Sequence, residues 1–505
     1  MIKKLILFYP SSESDFEGKD IDFEIPGIPI GIMSLAAYIE SKGYEVKLID
    51  SRLYDKNTSK NMLFNEINEE TIVGISATTS QVKHGYIISK EIKNKFSKTK
   101  IVWGGIHPTL YPEQTIKGKY VDFVINGEGE YGLLELIKQL NLTTPDFSKV
   151  PSLIYLKRSK IIQNQLTFCS DINELPDPSY HLLEIEKYTN RELYFYDMNK
   201  KYKTIDINTS RGCPYRCSFC TNTINGFKNW RPLDAKRVNK LIDKLITKYK
   251  VEHIWFMDDY FFGNKERVKE IINHLIKKKY NLTWEANARA NLFRNNYFTK
   301  EFIKLIKKSG CIQLRMGIES GSNRVLKILK KDIFIDDAIT ATKKLKKYKI
   351  RSNMYFMGGI PGETKEEFIQ TIKLMINLKK IDSNSLIQGP GLFRPYPGTE
   401  LYKECKKLGF EEPKTLEEWT KINLTNNFGI NEKDIQWVDF APEVITSEIT
   451  VFNFMYGHSN KSRNKKLSIT RIILYYIALL RLKTNFFKIP MEKKLLEIKQ
   501  RMTKK

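Results

Sequence analysis

The chain has 505 residues, 41% hydrophobic and 12% aromatic, enough for roughly two to four domains with sizeable cores and too apolar for a disordered chain. Six unevenly spaced cysteines, and a start, MIKKLILFYP, that lacks a secretory leader, exclude an oxidised disulfide framework and imply a reducing, cytoplasmic compartment. The net charge of +26 invites a nucleic-acid partner, but the lysines are spread along helices such as KEIKNKFSKTK and KLIKKSG, the pattern of a solvated surface, so no nucleic acid is expected.

Over residues 1–145, short apolar runs (KKLILFYP, EVKLID, TIVGISATT, KIVWGG, DFVING) alternate with helical patterns such as IGIMSLAAYIESKGY and YGLLELIKQL. That alternation predicts a parallel sheet covered on both faces. Ligands of such sheets sit at the carboxyl ends of the strands. Here those ends carry Thr78, Thr79 and Ser80, then Gly104, Gly105 and His107, then Gly127, Glu128 and Gly129. Residues 146–200, preceded by Pro145 and interrupted by Pro151, Pro176 and Pro178, are expected to be a linker.

A second alternation fills 201–405. Its six strand candidates are KTIDINTS, EHIWFMDD, LTWEANARA, CIQLRMGIES, IRSNMYFMGGIPGE and SNSLIQGPGLF, each followed by a loop and a Lys-rich helix. Six strand-helix repeats predict a partial barrel with its site on the carboxyl-terminal face and one side open. Residues 406–505 form a C-terminal extension, and 461–505 hold 14 Lys and Arg against 2 Glu. Within it, IILYYIALL is far shorter than the roughly 20 residues that span a bilayer. It is read either as a helix packed on the barrel or as an amphipathic helix on an anionic membrane.

The segment RGCPYRCSFCTN puts Cys213, Cys217 and Cys220 on a tight loop after a strand. A closed zinc or iron-sulfur site wants four protein ligands, and no further Cys or His lies near. Three thiolates can hold three corners of a 4Fe-4S cubane and leave the fourth iron open for a substrate; a zinc loop is the competing reading.

The CxxxCxxC spacing, with Phe219 before the last cysteine, resembles the radical S-adenosylmethionine (SAM) superfamily. The resemblance implies that SAM chelates the open iron and is reductively cleaved to a 5'-deoxyadenosyl radical. It also implies residue roles. Phe219 would lie beside the adenine, and Asp258 or Asp259, in FMDDYF, would take the SAM amino group unless the pair caps a helix. Glu319, in GIESGS, would meet the ribose or else cap the next helix. Arg289, in ANARA, would hold the SAM carboxylate or pair with Glu285. The stretch GGIPGE, with Gly358, Gly359, Pro361 and Glu363, would let backbone approach the adenine.

The strings PIGIMSLAAYIESKGYEVKLID, VGISATT, VWGGIHPT and INGEGE resemble the Rossmann-like cobalamin-binding domain that precedes many radical SAM barrels. The resemblance implies cobalamin held by the strand-end residues of 1–145; a degenerate module without corrinoid is the alternative. The DxHxxG form that supplies a lower axial histidine is absent, and the corresponding strand ends in DSRLYD. His107 reads as a packed loop residue.

The fold class expected is therefore α/β: a cobalamin-binding Rossmann-like domain, a partial (β/α)6 radical SAM barrel and a basic helical extension. The implied function is C-methylation of an unactivated carbon in a small-molecule or lipid-like substrate, with an external electron donor such as flavodoxin or ferredoxin. Cyclisation or rearrangement without methyl transfer, and a cobalamin-binding sensor, are the alternatives. Methylthiotransferases share a similar cysteine string, but they carry a second triplet in the first domain, whereas no cysteine here precedes Cys169. The tail adds a peripheral membrane contact as an expectation.

Overall fold

The structure is a computed structural model that describes residues 1–12, 26–192, 201–224, 229–422, 435–456 and 469–487. It divides into two compact units, the first made of Met1–Arg191, Arg231–Leu233 and Glu411–Ile430, the second of Glu192–Trp230, Asp234–Phe410 and Asn431–Lys505.

The first unit is built on seven strands: β1 Lys4–Tyr9, β2 Glu45–Asp50, β3 Thr71–Ser76, β4 Lys100–Gly104, β5 Phe123–Ile125, β6 Leu153–Lys157 and β7 Lys160–Gln163. Their order is β2-β1-β3-β4-β5-β6-β7. The first five run parallel, and β6 and β7 add antiparallel. Helices α1 Ile30–Glu40, α2 Lys56–Glu66, α3 Val82–Lys95 and α4 Glu130–Leu140 supply the apolar cover. Leu5, Ile6, Leu7 and Phe8 are all buried, which is why β1 reads as an unbroken apolar run rather than an alternating one. Each such side chain contributes about 1.5–3 kcal/mol by leaving water.

Much of the expected linker, up to Arg191, belongs to the first unit. Residues 153–163 fold as the β6–β7 hairpin on this sheet, turning through Arg158 and Ser159, both with positive φ. Such a turn matches strand twist but normally advertises itself as Asn-Gly, so Arg-Ser hid it. The extension also departs from expectation, because the described part of a segment from Glu411 belongs to the first unit. There Trp419 Nε1 donates to Gln114 Oε1 at 2.9 Å, and the Tyr86 hydroxyl donates to Glu417 at 3.1 Å.

The second sheet carries β8 Asn190–Glu192, at the boundary of the two units, and then β9 Lys201–Ile207, β10 His253–Phe256, β11 Thr283–Asn287, β12 Cys311–Glu319, β13 Arg351–Gly358 and β14 Leu386–Leu392. They are ordered β14-β13-β12-β11-β10-β9-β8, and β9 to β14 are parallel, the six strands expected. The crossover helices are α5 Ala235–Tyr249, α6 Lys265–Lys278, α7 Lys300–Lys308, α8 Ile335–Lys347 and α9 Lys365–Ile381. In α5, Val238, Leu241, Ile242 and Leu245 are buried while Lys236, Lys240, Lys244 and Lys248 are exposed. The lysine excess is thus a solvated helix face, as the spacing predicts.

A polar layer ties the strands together on their inner face. Glu285 accepts from Gln313 Nε2 at 2.7 Å and from Arg315 at 2.6 and 3.0 Å; Arg315 also donates to the Tyr355 hydroxyl at 2.8 Å, and Gln388 donates to Asn353 at 2.9 Å. The side of the sheet expected to stand open is lined by α10 Ala441–Tyr456, which packs along β14, with α11 Ile469–Thr484 packed on α10. Trp437, just before α10, donates to the Gly359 carbonyl at 2.7 Å.

Candidate active site

The cysteine loop leaves β9 through Thr209 and Ser210, and Asp258 braces that exit. Its Oδ1 accepts from the Thr209 amide and hydroxyl, each at 3.0 Å, and from the Ser210 hydroxyl. Arg267 adds bonds to the Thr209 carbonyl at 2.8 Å and its hydroxyl at 2.7 Å. Asp258 is wholly buried. Burial raises its pKa, opposed by Ser210, Arg267 and Thr209. It caps no helix; its Oδ1 is given to the loop exit, while its buried Oδ2 has no hydrogen-bond partner among the described residues.

Gly212, with φ of +80°, makes the turn into the triplet. Ser218 then docks the loop, its amide bonding to the Leu329 carbonyl at 2.9 Å and its hydroxyl to the Ile328 carbonyl at 2.8 Å. All three thiols are free, Cys217 buried and Cys213 and Cys220 half-buried. Burial pushes Cys213 up and Cys220 up to about 11. Thiols so placed become thiolates when a metal centre supplies positive charge. Among the described residues no three His, Cys, Asp or Glu side chains converge on a single-ion site.

Around the loop stand charges from several strand ends. Arg289, after β11, donates from one Nη to Cys217 Sγ at 3.7 Å and from the other to the Lys331 carbonyl, and its guanidinium lies 3.5 Å from the centre of the Tyr215 ring. It does not pair with Glu285, whose partners are Gln313, Arg315 and His253. Lys331 pairs with Glu319 at 2.7 Å and sits 5.5 Å from the centre of the Phe219 ring. Glu319 does not cap the next helix; Ser322 does. Glu319 holds φ of +72°, a strained conformation for a residue with a Cβ, of the kind that clusters at functional sites. Asp259 remains open to solvent, yet the surrounding protein raises its pKa, opposed by a hydrogen bond with Asn222. It is near enough that its charge raises both Cys213 and Cys220.

The GGIPGE turn is more internally committed than expected. A Cβ on Gly358 would lie 2.5 Å from the Phe368 ring, so its smallness serves packing against α9. Glu363 accepts from the amides of Gly359 at 2.7 Å and Ile360 at 3.2 Å, and burial raises its pKa to about 7. Gly359, with φ of +72°, and Pro361 shape the turn these bonds close.

In the first unit, Thr78, Thr79 and Ser80 follow β3, Gly104 and Gly105 end β4, and Gly127 to Gly129 follow β5, so three adjacent strands bring them to one edge. Thr78 and Gln81 form a capping box, and Thr79 Oγ1 lies 3.3 Å from His107 Nδ1. Gly105, with φ of +93°, approaches the Ala77 backbone, where a Cβ would come within 2.9 Å. Gly104, by contrast, could carry a Cβ in ordinary contact with the Ile125 carbonyl oxygen, 3.7 Å away. Glu128 is occupied. It accepts from Arg231 at 2.7 and 3.0 Å and from the Cys169 amide at 3.0 Å, which removes it as a free ligand contact. His107 is buried beside Tyr111 and Trp419, its pKa lowered by burial to about 3, as a packed residue. The DSRLYD strand end closes on itself, Asp50 accepting from Arg52 at 2.6 and 2.9 Å and from the Tyr188 hydroxyl at 2.8 Å.

Sequence reasoning missed Lys331, Tyr215 and Arg231. One lysine among 84 Lys and Arg carries no signal until the fold sets it over Phe219.

A parallel half-barrel with an open thiol triplet, joined to a Rossmann-like module, defines a radical SAM enzyme with a second cofactor domain. The comparisons agree. The radical SAM superfamily matches residues 207–375 and the B12 binding domain residues 21–137. An uncharacterized methyltransferase of Pyrococcus horikoshii is 31% identical over 404 residues, covering 80% of this chain and 83% of its own. Two solved structures share the fold. The cobalamin-dependent SAM radical enzyme OxsB, with aqua-cobalamin bound, matches at TM-score 0.72 and 20% identity over 99% of this chain and 75% of its own. The radical SAM methyltransferase TsrM of Kitasatospora setae, with cobalamin and a 4Fe-4S cluster bound, matches at 0.66 and 15% over 95% of each. This chain belongs to the cobalamin-binding radical SAM family, whose cofactors are a 4Fe-4S cluster, SAM and cobalamin.

Proposed function

We propose that this enzyme methylates an unactivated carbon of a small-molecule or lipid-like substrate. The observation that carries the reading is a three-thiol loop ringed by Arg289, Lys331 and Asp259, in a chain that also has a B12 binding domain and a methyltransferase relative. When bound, the cluster supplies the electron that cleaves SAM to methionine and a deoxyadenosyl radical, and cobalamin supplies the methyl group.

The chain's own residues bind and orient. Cys213, Cys217 and Cys220 hold three irons. Asp259, the more exposed of the two aspartates, accepts the SAM ammonium. Glu319, fixed by Lys331, faces the ribose, and Phe219 flanks the adenine with the backbone at Gly359 and Pro361. Thr78, Thr79, Ser80, Gly104, Gly105, Gly127 and Gly129 cradle the corrinoid. A flavodoxin- or ferredoxin-type reductant provides the electron.

The test is anaerobic reconstitution, followed by metabolite mass spectrometry of cells with and without the protein. A product heavier by one CH2, lost in Cys217→Ala together with the visible absorbance of the cluster, supports methylation. An unshifted mass with SAM still consumed sinks it in favour of ring formation or rearrangement.

Membrane contact through the extension belongs to the same reading. Its support is a stripe on α11, where Ile473, Tyr476 and Leu480 are 47%, 59% and 63% exposed, within a stretch rich in Lys and Arg. No described helix is long and apolar enough to cross a membrane. Co-sedimentation of the full chain with phosphatidylserine vesicles, weakened in Leu480→Glu, is the expected result; equal sedimentation of wild type and variant would remove the contact.

A further inference from the structure

Arg289 stands out as a fixed cation placed on a thiol ligand rather than in open space. Its guanidinium is held from two sides, by the Lys331 carbonyl and by the face of Tyr215, which lies between Cys213 and Cys217 in the loop. Tyr215 is itself packed edge-on against Tyr260, ring centres 5.2 Å apart, so the stack is anchored outside the loop. With both contacts made, one Nη is directed at Cys217 Sγ, 3.7 Å away. A guanidinium keeps its charge at any working pH and loses little freedom on forming such a bond. Donors to a cluster's sulfurs stabilise its more negative, reduced form more than its oxidised form.

We infer that Arg289 is a positioning residue that raises the reduction potential of the cluster by donating a charged N–H to the Cys217 thiolate, and that it does not bind the SAM carboxylate. A higher potential makes the cluster easier to charge by an external reductant. The inference rests on the reading that the triplet holds a 4Fe-4S cluster, and wild-type protein without a cluster after reconstitution would fail that reading and not this one.

The experiment is a redox titration of anaerobically reconstituted full-length protein without SAM, followed by electron paramagnetic resonance of the reduced cluster before and after SAM is added. Arg289→Gln should hold iron at the wild-type ratio and show a more negative midpoint. Arg289→Lys, which keeps the charge and loses the fork, should fall between. A midpoint unchanged in both variants at full iron content overturns the inference. So does an unchanged midpoint accompanied by loss of the spectral change that SAM induces, which would assign Arg289 to the SAM carboxylate instead. If Arg289→Gln fails to hold iron, Arg289→Lys decides by the same criteria.

Discussion

Glu285 shows how one residue couples the half-barrel to pH. Burial alone would raise its carboxyl, but His253 and Arg315 outweigh burial and hold it at about 2. A depressed carboxylate stabilises the fold fully above its unfolded pKa of about 4.5, and that contribution fades as pH falls towards 2. The span corresponds to about 3 kcal/mol. Glu285→Gln should therefore flatten the acid limb of stability between pH 4.5 and 2 and, by removing the counter-charge of the part-buried Arg315, cost about 3 kcal/mol at neutral pH. Urea unfolding of wild type and variant at several pH values measures both effects. An acid slope that survives the substitution would show that other carboxylates carry it. The residue scale is also where sequence reading was weakest. Cys213, Cys217 and Cys220 could be found because thiols are rare and their spacing is informative, whereas Asp258 and Asp259 are adjacent and chemically identical. Only the fold separates them, burying the first under Thr209 and leaving the second near the thiols.

At the scale of elements, the turn from β13 into α9 decides what its glycines are for. Thr364 caps α9 in a capping box with Glu367, and the Gly358 backbone lies against the Phe368 ring one turn into that helix. Gly358→Ala should cost about 1–3 kcal/mol through overpacking, seen as a lower unfolding midpoint, whether or not SAM is present. A substitution that weakens SAM binding and leaves stability unchanged would return Gly358 to the adenine contact first expected of it. Most strands were legible because buried parallel strands read as apolar runs, and most helices because their lysines recur on one face. The β6–β7 hairpin was not, since Arg158 and Ser159 lack a turn signature and four prolines nearby suggested a linker. The segment from Glu411 was hidden for another reason: its pairing with Gln114 and Tyr86 spans some 300 residues, beyond any local pattern.

For the molecule as a whole, two compact units with separate cores predict two unfolding transitions rather than one. Their pH responses should differ. In the first unit, burial lowers His84 to about 4 and His107 to about 3. A histidine kept neutral stabilises above its unfolded pKa near 6.5, and this is lost as pH falls towards the folded values. Between pH 6.5 and 5 each costs about 2 kcal/mol. Calorimetry at those two pH values should show the first unit's transition moving down, whereas in the second unit Glu363, raised by burial to about 7, takes up its proton in the fold and moves that transition the other way; His107→Gln should reduce the first unit's movement. Equal shifts of both transitions would count against independent units.

Composition and spacing are enough to read an alternating α/β chain, a thiol triplet one ligand short of a closed site, and small residues at strand ends. Rarity and periodicity are local properties, so a linear reading recovers them. Only the fold settles which of two aspartates is buried, that Arg289 faces Cys217 rather than Glu285, that Glu128 is occupied by Arg231, and that α10 lines the sheet side expected to be open. Those outcomes depend on which distant side chains meet in low-dielectric surroundings, where one hydrogen bond or ion pair reassigns a charge, and no local pattern carries that information.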